Sequence, residues 1–289
     1  MKGIILAGGS ATRLRPASLG VSKQLMPVYD KPLIYYPLTT LMLSGIREIL
    51  LISTPHDLPQ FKRLFSNSDQ WGINISFAEQ ATPGGLAEAL LIGENFINGR
   101  EVALILGDNL FHGTGLGRQL RDSFVNRGAL IAAYHVSDPR AFGVVQFDTA
   151  GIAMSLEEKP ANPKSSWAVP GIYFYDETAV ARTKSLARSP RGELEITDLN
   201  RNYMIDGQLR VKTFARGTTW LDMGTPSTLL EAAEYIRVVQ DRQGLLIGSP
   251  EEAAWRAGWI DDAKLLELSF NFNATQYGEL LAKLPEEGK

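Results

Sequence analysis

Two adjacent glycines follow the first apolar run of the chain and begin a segment that could bind phosphate. Residues 6–13 read Leu-Ala-Gly-Gly-Ser-Ala-Thr-Arg. Because glycine has no Cβ, the backbone N–H groups of Gly8 and Gly9 can approach an anion closely. Arg13 adds a planar fork of donors that fits phosphate oxygens. The glycine pair taken alone is also explained by a simple strand-to-helix turn beside a solvated arginine.

Two common phosphate-binding patterns are absent from this segment. No Gly-x-x-x-x-Gly-Lys-Ser/Thr sequence follows, which excludes a P-loop, and the spacing is not the Gly-x-Gly-x-x-Gly of dinucleotide-binding folds. Asp30 lies about 20 residues further on, where such a fold places its ribose-binding carboxylate. However, Asp30 belongs to a loop bounded by Pro27 and Pro32 rather than to a strand end. The sequence therefore argues against hydride transfer.

A lysine stands among apolar residues soon after the glycines. Lys23 belongs to the sequence Ser-Lys-Gln-Leu-Met-Pro-Val at residues 22–28. A lysine in such a setting costs desolvation free energy unless an anion compensates it. Its aliphatic stem could instead lie over the core and leave the ammonium in water.

Two aspartates follow short apolar runs at distant points of the chain. Asp108 comes after the run at residues 102–106, and Asp222 comes after Trp220-Leu221 and before a predicted helix at Thr225. Each could simply cap the turn or helix that follows it. If the fold brings them together, they could hold Mg²⁺, which prefers oxygen ligands and keeps water and phosphate oxygens in its shell.

A third charged group, Glu158-Lys159, follows a short β-rich run. A carboxylate can accept hydrogen bonds from sugar hydroxyls, and a lysine can bind a monophosphate. A solvated charge cluster at a strand end is the alternative. Further on, Glu195, Thr197 and Asp198 precede a helical pattern, and we expect them to cap that helix.

The elements that must position these residues alternate in type along the first half of the chain. Predicted strands lie at residues 3–6, 48–53, 73–78, 102–106 and 130–135, and predicted helices at 33–44, 85–96 and 116–126. Alternation of this kind indicates βαβ units, and strands that are apolar throughout indicate helices on both faces. We expect an α/β fold with a mostly parallel, Rossmann-like central sheet flanked by helices.

The rest of the chain changes character twice. Short strands are predicted at residues 144–147, 153–157, 168–174 and 209–214, and helices at 225–240, 250–257, 261–269 and 276–284. We therefore expect an α/β core at residues 1–241, with an insert around 140–215. A helical subdomain at residues 242–289 is expected to pack on that core.

Composition limits the classes of function. The 289 residues are 44% hydrophobic, carry a formal net charge of -3 and show no basic stripe, which argues against nucleic-acid binding. Cysteine is absent, so disulfides, zinc–thiolate sites and cysteine nucleophiles are excluded, and a reducing compartment is favoured. No apolar run approaches the ~18 residues of a membrane span. We expect a cytoplasmic protein without membrane attachment.

Two of these segments together resemble the N-terminal signature of the sugar nucleotidyltransferases. The signature is Gly-Gly-Ser-x-Thr-Arg-Leu-x-Pro at residues 8–16, then Ser-Lys-Gln-Leu-x-Pro-Val-Tyr-Asp-Lys-Pro at 22–32, and the likeness runs from Lys2 to about Asp261. Within this family the chain is similar to members that use glucose 1-phosphate and dTTP. The resemblance implies a nucleotide-diphospho-sugar transferase fold and Mg²⁺-dependent formation of dTDP-glucose and pyrophosphate, the first step of dTDP-sugar (for example dTDP-rhamnose) biosynthesis.

The resemblance also implies roles for the candidate residues. Arg13 and Lys23 are expected to be catalytic, and Asp108 and Asp222 to bind the metal. The expected nucleotide-binding residues are Leu6, Gly8, Gly9, Ser10, Ala11, Thr12, Arg13, Gln24, Gln80, Gly85 and Asp108. The expected sugar-phosphate-binding residues are Gly143, Glu158, Lys159, Val169, Gly171 and Tyr173. The insert would therefore bind the hexose, and the donor and acceptor of the Gln80 amide fit the imide edge of thymine or uracil.

A homotetramer with product feedback is implied as well, with Glu252 and Arg256 in the region of the regulatory site. Four positions depart from the family pattern. Alanine replaces glycine at Ala11, glycine replaces a polar residue at Gly84, and Pro170 and Met223 stand where threonine is expected. The last three positions are expected to touch the base and hexose pockets, so they leave substrate choice more open than reaction type. A UTP-dependent uridylyltransferase and a non-catalytic, nucleotide-sensing regulatory protein are the alternatives.

Overall fold

Helices and strands alternate along the first half of the chain, and helices alone make up its end. The computed structural model describes residues 1–9, 11–122 and 127–288. The strands are β1 (Lys2–Ala7), β2 (Pro27–Val28), β3 (Lys31–Pro32), β4 (Glu48–Ser53), β5 (Asn74–Glu79), β6 (Val102–Leu106), β7 (Asn109–His112), β8 (Ala129–His135), β9 (Gly143–Phe147), β10 (Ala153–Glu158), β11 (Trp167–Val169), β12 (Ile172–Tyr175), β13 (Leu209–Thr213) and β14 (Thr219–Asp222). The helices are α1 (Tyr35–Leu43), α2 (Leu58–Leu64), α3 (Glu88–Ile92), α4 (Glu94–Ile97), α5 (Leu116–Arg121), α6 (Ala179–Lys184), α7 (Ile196–Ile205), α8 (Pro226–Gln243), α9 (Pro250–Arg256), α10 (Asp262–Ser269) and α11 (Gln276–Glu287).

One large sheet crosses the molecule in the order β10-β9-β11-β8-β12-β6-β1-β4-β5, with β13 beside β8. Strands β6, β1, β4 and β5 are mutually parallel. Strand β12 runs antiparallel to both β6 and β8 and joins this parallel part to the second half of the sheet. The predicted fold class, an α/β protein with a central sheet between helices and a helical C-terminal region, is confirmed.

Successive side chains of β1 enter two different hydrophobic cores, one on each face of the sheet. Ile5 and Ala7 belong to one buried cluster, and Ile4 and Leu6 belong to the other. Side chains alternate between the two faces of a strand, so a strand covered on both faces must be apolar at every position. This explains why the predicted strands of the first half read as continuous apolar runs.

The C-terminal helices share a core with the first half of the chain. Trp255, Leu265 and Leu281 lie in the same buried cluster as Leu38 and Leu41 of α1. Helix α11 continues to Glu287, three residues beyond the predicted end at 284, and it includes Pro285. None of the helices described here is long and apolar enough to cross a membrane.

Some predicted elements are divided in the structure. The strand predicted at 168–174 is two strands, β11 and β12, because Pro170 between them has no N–H for the sheet. The helix predicted at 85–96 is divided into α3 and α4 at Gly93, where a Cβ would lie 2.9 Å from Ile4 Cδ1 of the sheet. Helix α5 ends at Arg121, and the predicted continuation to residue 126 lies partly outside the described residues. Strands β7 and β14 were not predicted.

Candidate active site

The glycine segment lies at the carboxyl end of β1, beside the end of β6. The N–H group of Gly107 donates to the carbonyl of Leu6 at 2.9 Å, which holds the two strand ends together. Gly9 has φ +102°, a backbone conformation that glycine adopts without strain. Ser10, an expected nucleotide-binding residue, lies outside the described residues. The segment is therefore at the end of the sheet where open α/β folds bind ligands.

Ala11 adopts the left-handed conformation, with φ 44° and ψ 36°. Its carbonyl accepts hydrogen bonds from the Ser18 hydroxyl at 2.8 Å and from the Leu14 N–H at 3.0 Å. The turn that these bonds close leads into a one-turn 3₁₀ helix, Thr12–Leu14, which carries Arg13. The alanine that departs from the family pattern is thus held in a conformation that favours glycine.

Lys23 lies in another one-turn 3₁₀ helix, Lys23–Leu25, and is 9% exposed. Its ammonium is paired with the Asp108 carboxylate. The anion that its apolar surroundings require is therefore a protein carboxylate in this structure, and the alternative of a lysine extending into water is wrong. The other Asp108 oxygen accepts from the Asn109 amide at 2.8 Å. Both oxygens of Asp108 are held in place by neighbouring side chains.

The pairing of β7 with β14 brings the second aspartate to the same place. In this antiparallel register Asp222 lies opposite Asn109, next to Asp108 in the chain. The N–H group of Met223 also donates to the carbonyl of Asp108 at 3.1 Å. Thr225 caps helix α8 with its own side chain, in a capping box with Thr228. Asp222 is therefore free of a capping role.

The charges around Asp222 define the electrostatics of the site. Burial raises the pKa of the Asp222 carboxyl above its ordinary value, and the like charge of Asp108 raises it further. The cations of Lys23, Arg13 and Lys159 act in the opposite direction. One carboxylate and three cations from four other segments thus lie within electrostatic reach of Asp222.

The sugar-phosphate candidates lie on the next strands of the sheet. Glu158 at the end of β10 is in register with Gly143 at the start of β9, and Val169 of β11 lies opposite Gly143 on its other side. The Thr197 hydroxyl donates to Glu158 Oε2 at 2.6 Å. Lys159 lies 3.6 Å from the Glu158 carboxylate and has a left-handed backbone, with φ 43°.

A cavity of about 210 Å³ joins the two groups of candidates. It is lined by Arg13, Leu86, Leu106, Asp108, Asn109, Ala141, Phe142, Gly143, Leu156, Glu158, Lys159, Val169, Gly171, Tyr173, Glu195, Ile196, Thr197, Asn200, Trp220 and Asp222. All six expected sugar-phosphate residues, both expected metal ligands and Arg13 are on this wall. Lys23 reaches it through its ion pair with Asp108.

At two of the expected glycines, close packing against neighbouring residues leaves no room for a side chain. A Cβ on Gly171 would lie 2.6 Å from Leu106 Cδ1, and a Cβ on Gly85 would lie 2.3 Å from the carbonyl oxygen of Leu194. Gly143 differs, because the nearest atom to its Cβ position is Glu158 Oε2 at 3.5 Å. An added side chain at residue 143 would therefore point toward the carboxylate that faces the cavity.

Two sequence-based expectations about this wall are wrong. Glu195 is the N-terminal cap residue of α7, yet no side chain caps the helix, and the Thr197 hydroxyl bonds to Glu158 instead. Met223 is fully buried in a separate apolar cluster with Val28 and Ile236, away from the substrate cavity. The cavity residues Thr197, Asn200, Phe142 and Trp220 were not assigned to the site from the sequence.

Gln80, the residue expected to contact the base, directly follows β5. Its side-chain Nε2 donates to Glu88 Oε2 at 2.8 Å and to the carbonyl of Gly85 at 3.3 Å. Its Oε1 lies 3.1 Å from the position of a Cβ on Gly8. Gln24 reaches the same glycine, with a long 3.5 Å contact from its amide to the Gly8 carbonyl. The expected base-binding residue therefore borders the glycine segment.

A second and larger cavity, of about 1300 Å³, lies between α1, the segment around Phe111–His112, α5 and α9. Glu252 and Arg256 of α9 line it and are paired with each other at 2.7 Å. These are the two residues expected near a regulatory site. The two cavities share no charged residue among the described residues that line them.

Comparison with known proteins identifies the family. The model of the nucleotidyl transferase family matches residues 2–238. The chain belongs to this family. A glucose-1-phosphate thymidylyltransferase of Mycobacterium tuberculosis is 54% identical over 286 residues, 99% of each chain. One of Neisseria meningitidis is 53% identical over 285 residues, covering 98% of this chain and 99% of the relative.

A solved structure has the same fold. A Bacillus anthracis protein assigned as a glucose-1-phosphate thymidylyltransferase, crystallised in complex with sucrose, superposes with a TM-score of 0.76. It is 35% identical, and the match covers 82% of this chain and 95% of that one. The central sheet and its flanking helices are therefore the architecture of a nucleotidyltransferase.

Proposed function

We propose that this protein transfers the thymidylyl group of dTTP to glucose 1-phosphate and releases pyrophosphate. The observation that carries the proposal is the convergence of Asp108, Asp222, Arg13 and Lys159 on one cavity, with Lys23 paired to Asp108. Three cations around a carboxylate pair fit two phosphate-bearing substrates. The names of relatives that are 53–54% identical over nearly the whole chain support this substrate pair.

The nucleophile in this reaction is a phosphate oxygen that already carries negative charge, so no general base is needed. The obstacle is repulsion between the two phosphate groups, and catalysis consists of positioning and electrostatic stabilisation. We assign Arg13 to the departing pyrophosphate and Lys159 to the attacking phosphate. Lys23 leaves Asp108 and turns to the α-phosphate when the nucleotide binds.

Asp108 and Asp222 would hold Mg²⁺. Among the residues described here, no group of three or more His, Cys, Asp or Glu side chains could hold a metal ion. A pair of carboxylates whose like charges raise the pKa of Asp222 fits a cation that takes its remaining ligands from water and phosphate. When bound, the ion supplies positive charge that neutralises the triphosphate.

The hexose side of the site belongs to the insert around residues 140–215. We assign Glu158 to the sugar hydroxyls, because the Thr197 hydroxyl holds one of its oxygens and its carboxylate borders the cavity. Gly143 leaves room beside that carboxylate. The helical region at residues 242–289 is assigned to support of the core and to regulation.

The test is a turnover screen with glucose 1-phosphate and each of dTTP and UTP, with and without MgCl₂, followed by pyrophosphate release. We expect Mg²⁺-dependent turnover with dTTP and none for Asp108→Asn. Faster turnover with UTP would favour a uridylyltransferase. Absence of turnover with any triphosphate and hexose 1-phosphate, in a protein that binds nucleotide, would favour a nucleotide-sensing regulatory protein.

We further propose that the enzyme is a cytoplasmic homotetramer with product feedback at the larger cavity. The ion pair of Glu252 and Arg256 on the wall of that cavity supports this assignment. Light scattering measures the assembly. Inhibition by downstream dTDP-sugars should be lost in Arg256→Ala while turnover without inhibitor is retained. A monomer, or inhibition that is unchanged in this variant, would contradict the two parts of this proposal.

A further inference from the structure

The amide of Gln80 has only one orientation that satisfies its neighbours. Its two closest partners are the Glu88 carboxylate, at 2.8 Å, and the Gly85 carbonyl, at 3.3 Å. Both partners are acceptors only, since a backbone carbonyl and an ionised carboxylate carry no proton to donate. The NH₂ end of the amide must therefore face Glu88 and Gly85, and both of its hydrogens are used there.

The carbonyl end of the same amide consequently faces the glycine segment. Gln80 Oε1 lies 3.1 Å from the Cβ position of Gly8, and the residue is 8% exposed. Within residues 1–9, 11–122 and 127–288, no hydrogen bond to this oxygen is present. Gln80 thus presents a single acceptor to a base bound beside Gly8, rather than the donor and acceptor expected from its sequence.

Glu88 can hold this orientation because it also binds a cation with its other oxygen. Arg188 donates to Glu88 Oε1 at 3.1 Å and to the carbonyl of Gly192 at 2.7 Å. The Glu88 carboxylate occupies the space next to Gly84, where a Cβ would lie 2.0 Å from Oε2. The glycine that departs from the family pattern is what makes room for this carboxylate.

We propose that Glu88 is a positioning residue that sets base specificity by holding the Gln80 carbonyl oxygen toward the nucleotide. This proposal rests on the proposed function, since the ligand is the nucleotide at the glycine segment. Thymine and uracil carry an N–H group at ring position 3, and this group donates a hydrogen bond to Gln80 Oε1. Cytosine carries an acceptor at the same position and is repelled. A site built to accept one hydrogen bond discriminates strongly against a ligand that lacks the donor.

The variant Glu88→Gln tests the orientation with a change of one atom. A carboxylate accepts hydrogen bonds on both oxygens, whereas an amide accepts on one side and donates on the other. Arg188 retains the accepting side, so the introduced NH₂ group faces residue 80. Gln80 must then turn its own oxygen toward that NH₂ group and its donor toward the base.

The measurement is the dissociation constant of dTTP, UTP and dCTP, each with MgCl₂, by calorimetry. We expect Glu88→Gln to lower the preference for dTTP over dCTP by about tenfold or more, with UTP following dTTP. Adding Arg188→Leu frees the introduced amide to rotate, so the preference for dTTP should recover. Arg188→Leu alone should keep the preference, because Glu88 still accepts from Gln80.

The matched control is Glu94→Gln on α4, a carboxylate that pairs with Lys184 at the surface, which should change none of the constants. An unchanged dTTP to dCTP ratio in Glu88→Gln overturns the proposal. The proposal is also overturned if Glu88→Gln weakens the binding of all three nucleotides equally and adding Arg188→Leu does not change this. Such a result would indicate loss of structure rather than a reversed amide. If the wild-type protein selects dTTP in this way but forms no dTDP-glucose, the proposed function fails and the role of Glu88 stands. If the wild-type protein forms dTDP-glucose but the dTTP to dCTP ratio is unchanged in Glu88→Gln, the proposed function stands and the role of Glu88 fails.

Discussion

The ion pair between Lys23 and Asp108 predicts that Lys23 stabilises the ligand-free protein as well as the reaction. The two side chains are 11% and 18% exposed. Breaking a fully buried pair by removing one partner costs about 3–5 kcal/mol, and exposed pairs contribute about 0–1 kcal/mol. We expect Lys23→Met to cost about 2 kcal/mol, which lowers Tm by about 4 °C in a chain of this size.

Three measurements separate this effect from a general loss of packing. The Tm of Lys23→Met, followed by calorimetry, should recover when Asp108→Asn is added, because the carboxylate is then no longer charged. MgCl₂ alone should raise the Tm of Lys23→Met more than that of the wild type, because Asp108 and Asp222 lack their ammonium. Turnover of dTTP should fall by about 10²–10³.

Lys184→Met is the matched control, because Lys184 pairs with Glu94 where the side chains are 54% and 48% exposed. It should shift Tm by no more than about 2 °C, from the 0–1 kcal/mol of an exposed pair. The reasoning is refuted if Lys23→Met shifts Tm by no more than this control. It is also refuted if MgCl₂ stabilises the wild type and Lys23→Met equally.

Three further predictions concern single side chains of the site. Because burial and Asp108 raise the pKa of Asp222, its charge destabilises the ligand-free fold, so Asp222→Asn should abolish turnover yet raise Tm at pH 8. This gain should shrink as the pH falls through the raised pKa of Asp222 and vanish well below the unfolded-state value of about 3.9, where the carboxyl is protonated in both states; a pH-independent gain would contradict it. Thr197→Val removes a hydrogen bond to a charged carboxylate and should raise KM for glucose 1-phosphate about tenfold with kcat nearly unchanged. Thr183→Val, a buried threonine bonded to a helix carbonyl, is its control, and equal KM values in the two variants would argue against the role of Glu158. Ala11→Gly removes the strain of a left-handed alanine and should stabilise the protein by up to about 1 kcal/mol. Its control, Ala17→Gly in a 3₁₀ helix with ordinary backbone angles, should destabilise the protein. Denaturant unfolding measures both free energies, and destabilisation by both variants would show that Ala11 is not strained.

The placement of the glycine segment and of Lys23 was the more predictable from sequence, because the features of these segments are local. The glycines follow β1 directly, and Lys23 stands ten residues after Arg13. Backbone freedom, an apolar neighbourhood and a side-chain charge are all properties of short segments. For the same reason the long apolar strands were predicted, whereas β14 was not, since its four residues carry too little pattern.

The hexose side was only partly predictable. Glu158 and Lys159 were singled out from the sequence, but Thr197 was given a capping role because threonine near a helix start usually caps. Its hydroxyl instead bonds to Glu158 across the site. A capping pattern considers only the backbone groups that a side chain can reach within its own segment. It does not consider an acceptor, such as Glu158, that the fold brings close from another strand.

By itself, the sequence determined the α/β class, the place of the glycine segment directly after the first strand and the types of charged group that follow it. It also showed an alanine at position 11, where the family pattern has glycine. Only the tertiary structure decided which of these groups meet. Asp108 and Asp222 become neighbours through the register of β7 with β14. Glu88 at the start of α3 bonds both Gln80, which follows β5, and Arg188, which follows α6. The physical reason is that local patterns set the conformation of a segment, whereas contacts between distant segments depend on which strands pair and on the space that the packed core leaves.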